Sequence, residues 1–256
     1  MFTNNFDPVA FNLFIFEIRW YSLSYIFGIF FGWIYIKKFV IKKHDFKMLF
    51  DNLITYIIFG VILGGRIGYI LIYDIKYYIN NIFEIIYVWN GGMSFHGGLI
   101  GVIIATYLYA KKKEVSALVF LDYISLSAPI GLFFGRLANF INGELIGKPT
   151  NGTWGVIFPN IDNILRHPSQ LYEAFLEGII LFLILNIIFF RTQYRNGQCS
   201  FLFLIFYGLF RIFSEFFREP DIHMGYLIGQ ISMGMVLSSF MIVIGTFAYY
   251  RVFLFK

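Results

Sequence analysis

Three arginines, Arg66, Arg136 and Arg211, stand inside long apolar stretches of this 256-residue chain. A charge within a membrane-crossing stretch costs at least about 2.5–3.5 kcal/mol and by default marks function. A guanidinium stays charged at any working pH, and its planar fork matches a phosphate. Arg136 lies in GRLANFINGE (135–144), with Asn139 three residues on along the same helix face and Asn142 and Glu144 beyond it. Arg211 lies in YGLFRIFSEFFREPD (207–221), where Tyr207, Arg211, Glu215 and Arg218 recur at helical spacing. Arg211 and Glu215 form an i,i+4 pair, which is either a structural ion pair or a device that holds the arginine in one pose for an anionic ligand. Arg66 lies in GGRIGY (64–69), whose glycines admit another helix or a ligand close to the backbone.

A proton-transfer group stands in a further motif. His96 occupies GGMSFHGG (91–98). Imidazole titrates near neutrality, as a general base should. The four flanking glycines are expected to clear side-chain bulk around it and let a large substrate approach. In RHPSQLYE (166–173), Pro168 and Ser169 suit a helix start, and Arg166 and His167 could reach a head group. Together these groups fit an anionic lipid head group held by arginines, with proton transfer nearby. The chain has no membrane-embedded aspartate pair, no G-x-S-x-G and no H-E-x-x-H. Its only cysteine, Cys199, excludes an intrachain disulfide and a cysteine metal site.

The elements that must position these residues follow from composition. The chain is 59% hydrophobic and only 14% charged, too little charge to cover a water-facing surface. Seven stretches approach the roughly 20 apolar residues a membrane span needs, near 19–40, 49–73, 93–110, 117–138, 171–190, 200–217 and 226–250. The expected fold is all-α, a polytopic membrane helical bundle of about seven transmembrane helices in one domain over 1–256. Twelve of the 20 lysines and arginines fall in alternate loops and the C-terminus, five fall on the opposite side, and three fall in spans. By the positive-inside rule the N-terminus faces outward and the C-terminus is cytoplasmic. The connection 139–170, with Pro149, Pro159, Pro168, Trp154 and Phe158, is then a small ordered extracytoplasmic cap. The net charge of +5 resides in short loops between spans, so no nucleic acid is expected as a partner. The first residues lack a basic n-region and a cleavage site, and do not read as a removable signal.

The motifs, in this order, resemble those of the bacterial prolipoprotein diacylglyceryl transferases. GGRIGY, VWNGGMSFHGGLIG, GRLANFINGE, RHPSQLYE and YGLFRIFSEFFREPD each look like a block of that family, as does the opening FDPVAF with Arg19-Trp20-Tyr21. One position departs: Asn90 stands where the family commonly has aspartate. The resemblance implies a bacterial inner-membrane enzyme that moves a diacylglyceryl group from phosphatidylglycerol to the cysteine thiol of a preprolipoprotein lipobox peptide. Glycerol phosphate leaves, and no metal or organic cofactor takes part. A thiol must become a thiolate before it attacks. His96 matches the family's proposed base, and Glu144 is a second candidate. Arg136 matches the phosphatidylglycerol-binding arginine, and Arg211 another required arginine oriented by Glu215. Tyr21, Asn139, Gly147 and Tyr207 match further motif positions, and Arg66 is expected on the substrate side. An anionic-lipid transporter or flippase would use the same arginines without needing His96, and a membrane scaffold would leave the polar clusters unexplained.

Overall fold

The computed structural model describes residues 2–14, 16–88, 91–192, 194–220 and 225–254. Asn90, the departure from the family pattern, lies outside the described residues. The chain divides into two compact units, Met1–Lys38 with Ile124–Lys256, and Phe39–Tyr123.

Among the described residues, six helices are long and apolar enough to cross a membrane. They cover Trp20–Val40, His44–Tyr73, Ala117–Asn142, Ser169–Arg191, Gln198–Glu215 and Met233–Phe253. The expected third span, 93–110, is helical as α4 (Phe95–Lys112) but is not one of the six. His96, three glycines and two terminal lysines dilute the apolar content of its 18 residues.

In the second unit, α2 (His44–Tyr73) lies along α4. The reason is a glycine stripe on each helix. Gly60, Gly64 and Gly68 recur every four residues on α2, and Gly97 and Gly101 do so on α4. A Cβ on Gly60 would lie 2.7 Å from the Gly101 carbonyl oxygen, and one on Gly64 would lie 2.7 Å from Gly101 Cα. This is the close backbone approach that small residues permit in lipid, where apolar side chains gain nothing by leaving their neighbours. The adjoining face of α2 presents Phe59, Leu63, Ile67 and Leu71, all more than half exposed and so fit to face acyl chains.

In the first unit, α1 (Trp20–Tyr35) meets α5 (Ala117–Asn142) where a Cβ on Gly28 would come within 2.7 Å of Gly131 Cα. Pro129 does not interrupt α5. The run α6 (Ser169–Glu173), a π-helical segment (Ala174–Ile180) and α7 (Leu181–Arg191) is one continuous span. Next come α8 (Gln198–Glu215) and α9 (Met233–Tyr249), packed on each other with Gly208 against the Ser238 carbonyl.

The expected all-helical architecture carries short strands in this unit. The expected seventh span starts late, because residues 226–232 form a hairpin of β6 (Tyr226–Ile228) and β7 (Ile231–Ser232). Gly225 and Gly229 supply the left-handed backbone at φ +58° and +59° that a helix would not contain. The N-terminal segment forms a second hairpin, β2 (Val9–Leu13) with β3 (Phe16–Arg19). Within 139–170 the first four residues continue α5. The remainder includes β4 (Val156–Ile157), which pairs antiparallel with β5 (Leu165–Arg166) and parallel with β1 (Phe2–Thr3). Phe140, Val156 and Phe158 form a small buried core beneath this sheet, flanked by Ile146 and Leu171.

Candidate active site

The densest buried polar region lies in the first unit, where α5, α6, the π-helical segment and α8 meet. Arg136 projects from α5 with its side chain 13% exposed. Its Nη1 is 3.0 Å from Glu173 Oε2, and its Nη2 and Nε donate to Glu177 Oε2 at 2.9 and 3.1 Å. Both glutamates have no exposed surface. Arg211, on α8, pairs with Glu173 and with Glu215 one turn further on. Arg218 lies 3.5 Å from Glu173 and 3.9 Å from Glu215. Ser232 Oγ donates to Glu215 Oε2 at 2.9 Å. Gly234 is needed there, because a Cβ would lie 2.6 Å from Glu215 Oε1. Tyr207 is buried within electrostatic reach of Arg136, Arg211, Glu173 and Glu177.

Glu173 and Glu177 are the residues that sequence reasoning missed. Glu173 closes the RHPSQLYE motif, which reads as a helix start, and Glu177 follows one turn later among apolar residues. Two acids four apart on one face of a membrane span were the available signal. Their effect on the site is large. The arginines are not bare cations: among the described residues three arginines meet three glutamates, and their formal charges cancel. Glu173, which touches all three arginines, is its centre.

Other expected site residues surround this network. Asn139 Nδ2 donates to Glu144 Oε2 at 3.1 Å, and Asn142 Nδ2 to Glu144 Oε1 at 3.2 Å. Glu144 itself is exposed, just beyond the end of α5. Tyr21, in the first turn of α1, shares a 3.1 Å hydroxyl contact with Tyr25 and lies within electrostatic reach of Glu144 and Arg136. Gly147 forms a bridge to Arg218, with Phe217 and His167 packed so closely that a Cβ would strike backbone. The structure therefore brings Arg136, Asn139, Glu144, Tyr21, Tyr207, Arg211, Glu215 and Gly147 into one neighbourhood.

Arg166 and His167 have different surroundings from those the sequence suggests. Arg166 donates to both Asp162 oxygens, to the Gly147 carbonyl at 3.0 Å and to Glu219 at 3.2 Å. It clamps the loop, and its guanidinium holds the Asp162 carboxyl below the usual aspartate range. His167 shares a 3.2 Å contact with the Tyr172 hydroxyl, and burial pushes its imidazole below the usual histidine range. An open apolar groove of about 830 Å³ runs beside it, walled by Phe140, Trp154, Leu171, Tyr172, Phe213 and Phe217.

His96 and Arg66 belong to the second unit. The sequence reading puts Arg66 with the substrate. In the structure its Nε donates to the Ile85 carbonyl at 2.9 Å, Nη1 to Gly91 and Gly92, and Nη2 to Glu84 and Tyr87. Five N–H groups meet five carbonyls, and the guanidinium lies over the Tyr78 ring at 5.0 Å. Arg66 therefore organises the segment that leads into α4. His96 is half-buried in the first turn of α4, which Ser94 caps by accepting from the Gly97 N–H at 3.2 Å. The glycines beside His96 are mostly not open space. Gly97 packs on α2, where a Cβ would lie 2.7 Å from Gly68 Cα, and Gly92 packs on the Tyr69 ring. Gly91, at φ +84°, is the open one. Among the described residues no group of histidine, cysteine or acids could hold a metal ion.

The fold and this buried ionic network define a multi-pass membrane protein with charge concentrated between its helices. Comparison with known proteins is decisive on its family. The family model for prolipoprotein diacylglyceryl transferase matches residues 8–251. A phosphatidylglycerol–prolipoprotein diacylglyceryl transferase of Rickettsia bellii (strain OSU 85-389) is 50% identical over 248 residues, 95% of this chain and 94% of that protein. The same-named protein of Ehrlichia canis (strain Jake) is 51% identical over 245 residues, 93% of each chain. That of Rickettsia typhi is 49% identical over 252 residues, 96% of this chain and 97% of the relative. The chain belongs to the prolipoprotein diacylglyceryl transferase family.

Proposed function

We infer that this chain transfers the diacylglyceryl group of phosphatidylglycerol to the lipobox cysteine of a preprolipoprotein. The observation that carries the reading is half-identity to transferases of that name along almost the whole chain. The cysteine loses its thiol proton to a base. Its sulfur attacks the glyceryl carbon that bears the phosphate, the carbon–oxygen bond breaks, and glycerol phosphate leaves with the electron pair. A thioether remains.

In this reading Arg136 and Arg211 hold the phosphodiester and stabilise charge as it moves to the leaving phosphate, which a fixed, buried guanidinium does without reorganising. Glu215 and Glu173 keep Arg211 in place. Asn139, Glu144 and Tyr21 form the polar rim through which the head group enters, and Tyr207 lines its floor. Gly147 lets the loop lie flat against Arg218. His96 takes the thiol proton, with Glu144 as the second candidate. Arg66 acts at one remove, by fixing the segment before α4. The apolar lining of the groove suits an acyl chain.

The membrane is the bacterial inner membrane, with the N-terminus and the 139–170 cap extracytoplasmic and the C-terminus cytoplasmic. Supporting this, α4 is about 27 Å long at about 1.5 Å per residue and is paired along a span. Counting it as a seventh crossing places the twelve loop and terminal basic residues on one side. Purified protein, phosphatidylglycerol and a lipobox peptide test the function by mass spectrometry. The expected product is the peptide heavier by one diacylglyceryl group on cysteine. Lipid movement with no such product would contradict the reading and favour a transporter.

A further inference from the structure

The network around Arg136 poses a problem of charge. Among the described residues three arginines and three glutamates already cancel, and five of the six are at most 7% exposed. A phosphodiester monoanion that joins them leaves one uncompensated negative charge in a low-dielectric interior, which is strongly unfavourable. Glu177 has no exposed surface, and Gly178 beside it packs on Phe133.

The three carboxylates differ in their company. Glu173 faces Arg136, Arg211 and Arg218. Glu215 faces Arg211, Arg218 and the Ser232 hydroxyl. Among the described residues Glu177 has one ion-pair partner, Arg136, the most exposed of the three arginines. The other groups that face Glu177 are the Tyr207 phenol and Arg211 on α8, and Glu173 one turn earlier on its own helix. Its Oε2 accepts from Arg136, while its buried Oε1 has no hydrogen-bond partner among the described residues. Glu173 Oε2 also lacks a hydrogen bond but lies 3.0 Å from Arg136 Nη1, so the bare buried oxygen of Glu177 is the place for a proton.

We propose that the anionic head group enters together with one proton, which Glu177 takes at Oε1. This rests on the reading that Arg136 holds the phosphodiester. Arg136 then exchanges a carboxylate for a phosphate oxygen, Glu177 becomes a neutral acid, and the network stays neutral. Binding consequently weakens as pH rises, by about tenfold per unit for one linked proton.

Calorimetric titration of dihexanoyl phosphatidylglycerol into the protein in phosphatidylcholine nanodiscs tests this. It is run at pH 8 in buffers of different ionisation enthalpy. The expected result is uptake of close to one proton per lipid by the wild type. Glu177→Gln, already neutral, is expected to take up none and to bind at least as tightly at pH 8. Saturable binding without proton uptake by the wild type overturns the inference alone, whether or not the variant folds. Equal uptake by wild type and Glu177→Gln also overturns it. Absence of saturable binding to folded wild type overturns both this inference and the reading beneath it.

Discussion

Arg136→Ala separates what the arginine does for the fold from what it does for the substrate. The substitution removes a guanidinium 3.0 Å from Glu173 and 2.9 Å from Glu177. Glu173 keeps Arg211 and Arg218, so the stranded charge is that of Glu177. Removing one partner of a buried pair costs about 3–5 kcal/mol. For a chain of this size each kcal/mol lowers Tm by roughly 2–4 °C, which predicts a fall of roughly 6–20 °C in a fixed detergent. The double variant Arg136→Ala/Glu177→Gln leaves no stranded charge and is expected to recover most of that loss. Neither variant is expected to form product, since the phosphodiester has lost its main ligand. Recovery of stability without recovery of turnover is the signature of an arginine that serves both roles. A single variant that melts with the wild type would mean that Arg136 does not compensate the buried Glu177 carboxylate. A double variant whose loss equals the sum of the two single losses would show that the pair is not coupled.

Gly101→Val places a branched side chain against the Gly60 carbonyl and should force α2 and α4 apart. Overpacking costs about 1–3 kcal/mol, so a Tm lower by several degrees is expected, and an unchanged Tm would deny the glycine contact. Arg66→Lys keeps the charge but cannot reach five carbonyls. Faster amide exchange over residues 82–88 and 91–92 with little change elsewhere is predicted, and unaltered exchange would mean those bonds do not hold these residues. The Asp162–Arg166 clamp has a defined pH dependence. Because the folded carboxyl is held below its ordinary value, the pair's stabilisation is full above about pH 4. It is lost as pH falls through the lowered value. Amide exchange at Thr150 and His167, whose N–H groups donate to Leu165 and Lys148, should accelerate in that acid range in the wild type. In Asp162→Asn it should already be fast at neutral pH, and a wild type with no acid transition would contradict the clamp.

Much of this architecture was legible because a bilayer allows few solutions. Long apolar runs become helices, and five of the seven expected spans match observed helices within a few residues. Where the structure adds to the sequence, the reasons are physical. The small residues around His96 signal close approach, but the sequence does not say what approaches, and the partner at Gly97 is α2. Arg66 was visible as a buried charge, whereas its acceptors are backbone carbonyls 18–26 residues away that carry no side-chain signature. Residues 226–232 are apolar enough to start a span, yet Gly225 and Gly229 turn them into a hairpin. Glu173 and Glu177 were legible in principle. The helix-start residues at Pro168 and Ser169 gave the motif a sufficient structural explanation, and the acid pair behind it went unread.

In the proposed reading Arg136 and Arg211 grip the lipid's phosphodiester inside the helix bundle. A structure of the protein with bound phosphatidylglycerol tests it most directly. Phosphate oxygens are expected at roughly 2.7–2.9 Å from the Arg136 guanidinium, the separation of a charge-assisted hydrogen bond. A lipid phosphate seated elsewhere, with Arg136 still bridging Glu173 and Glu177, would contradict it.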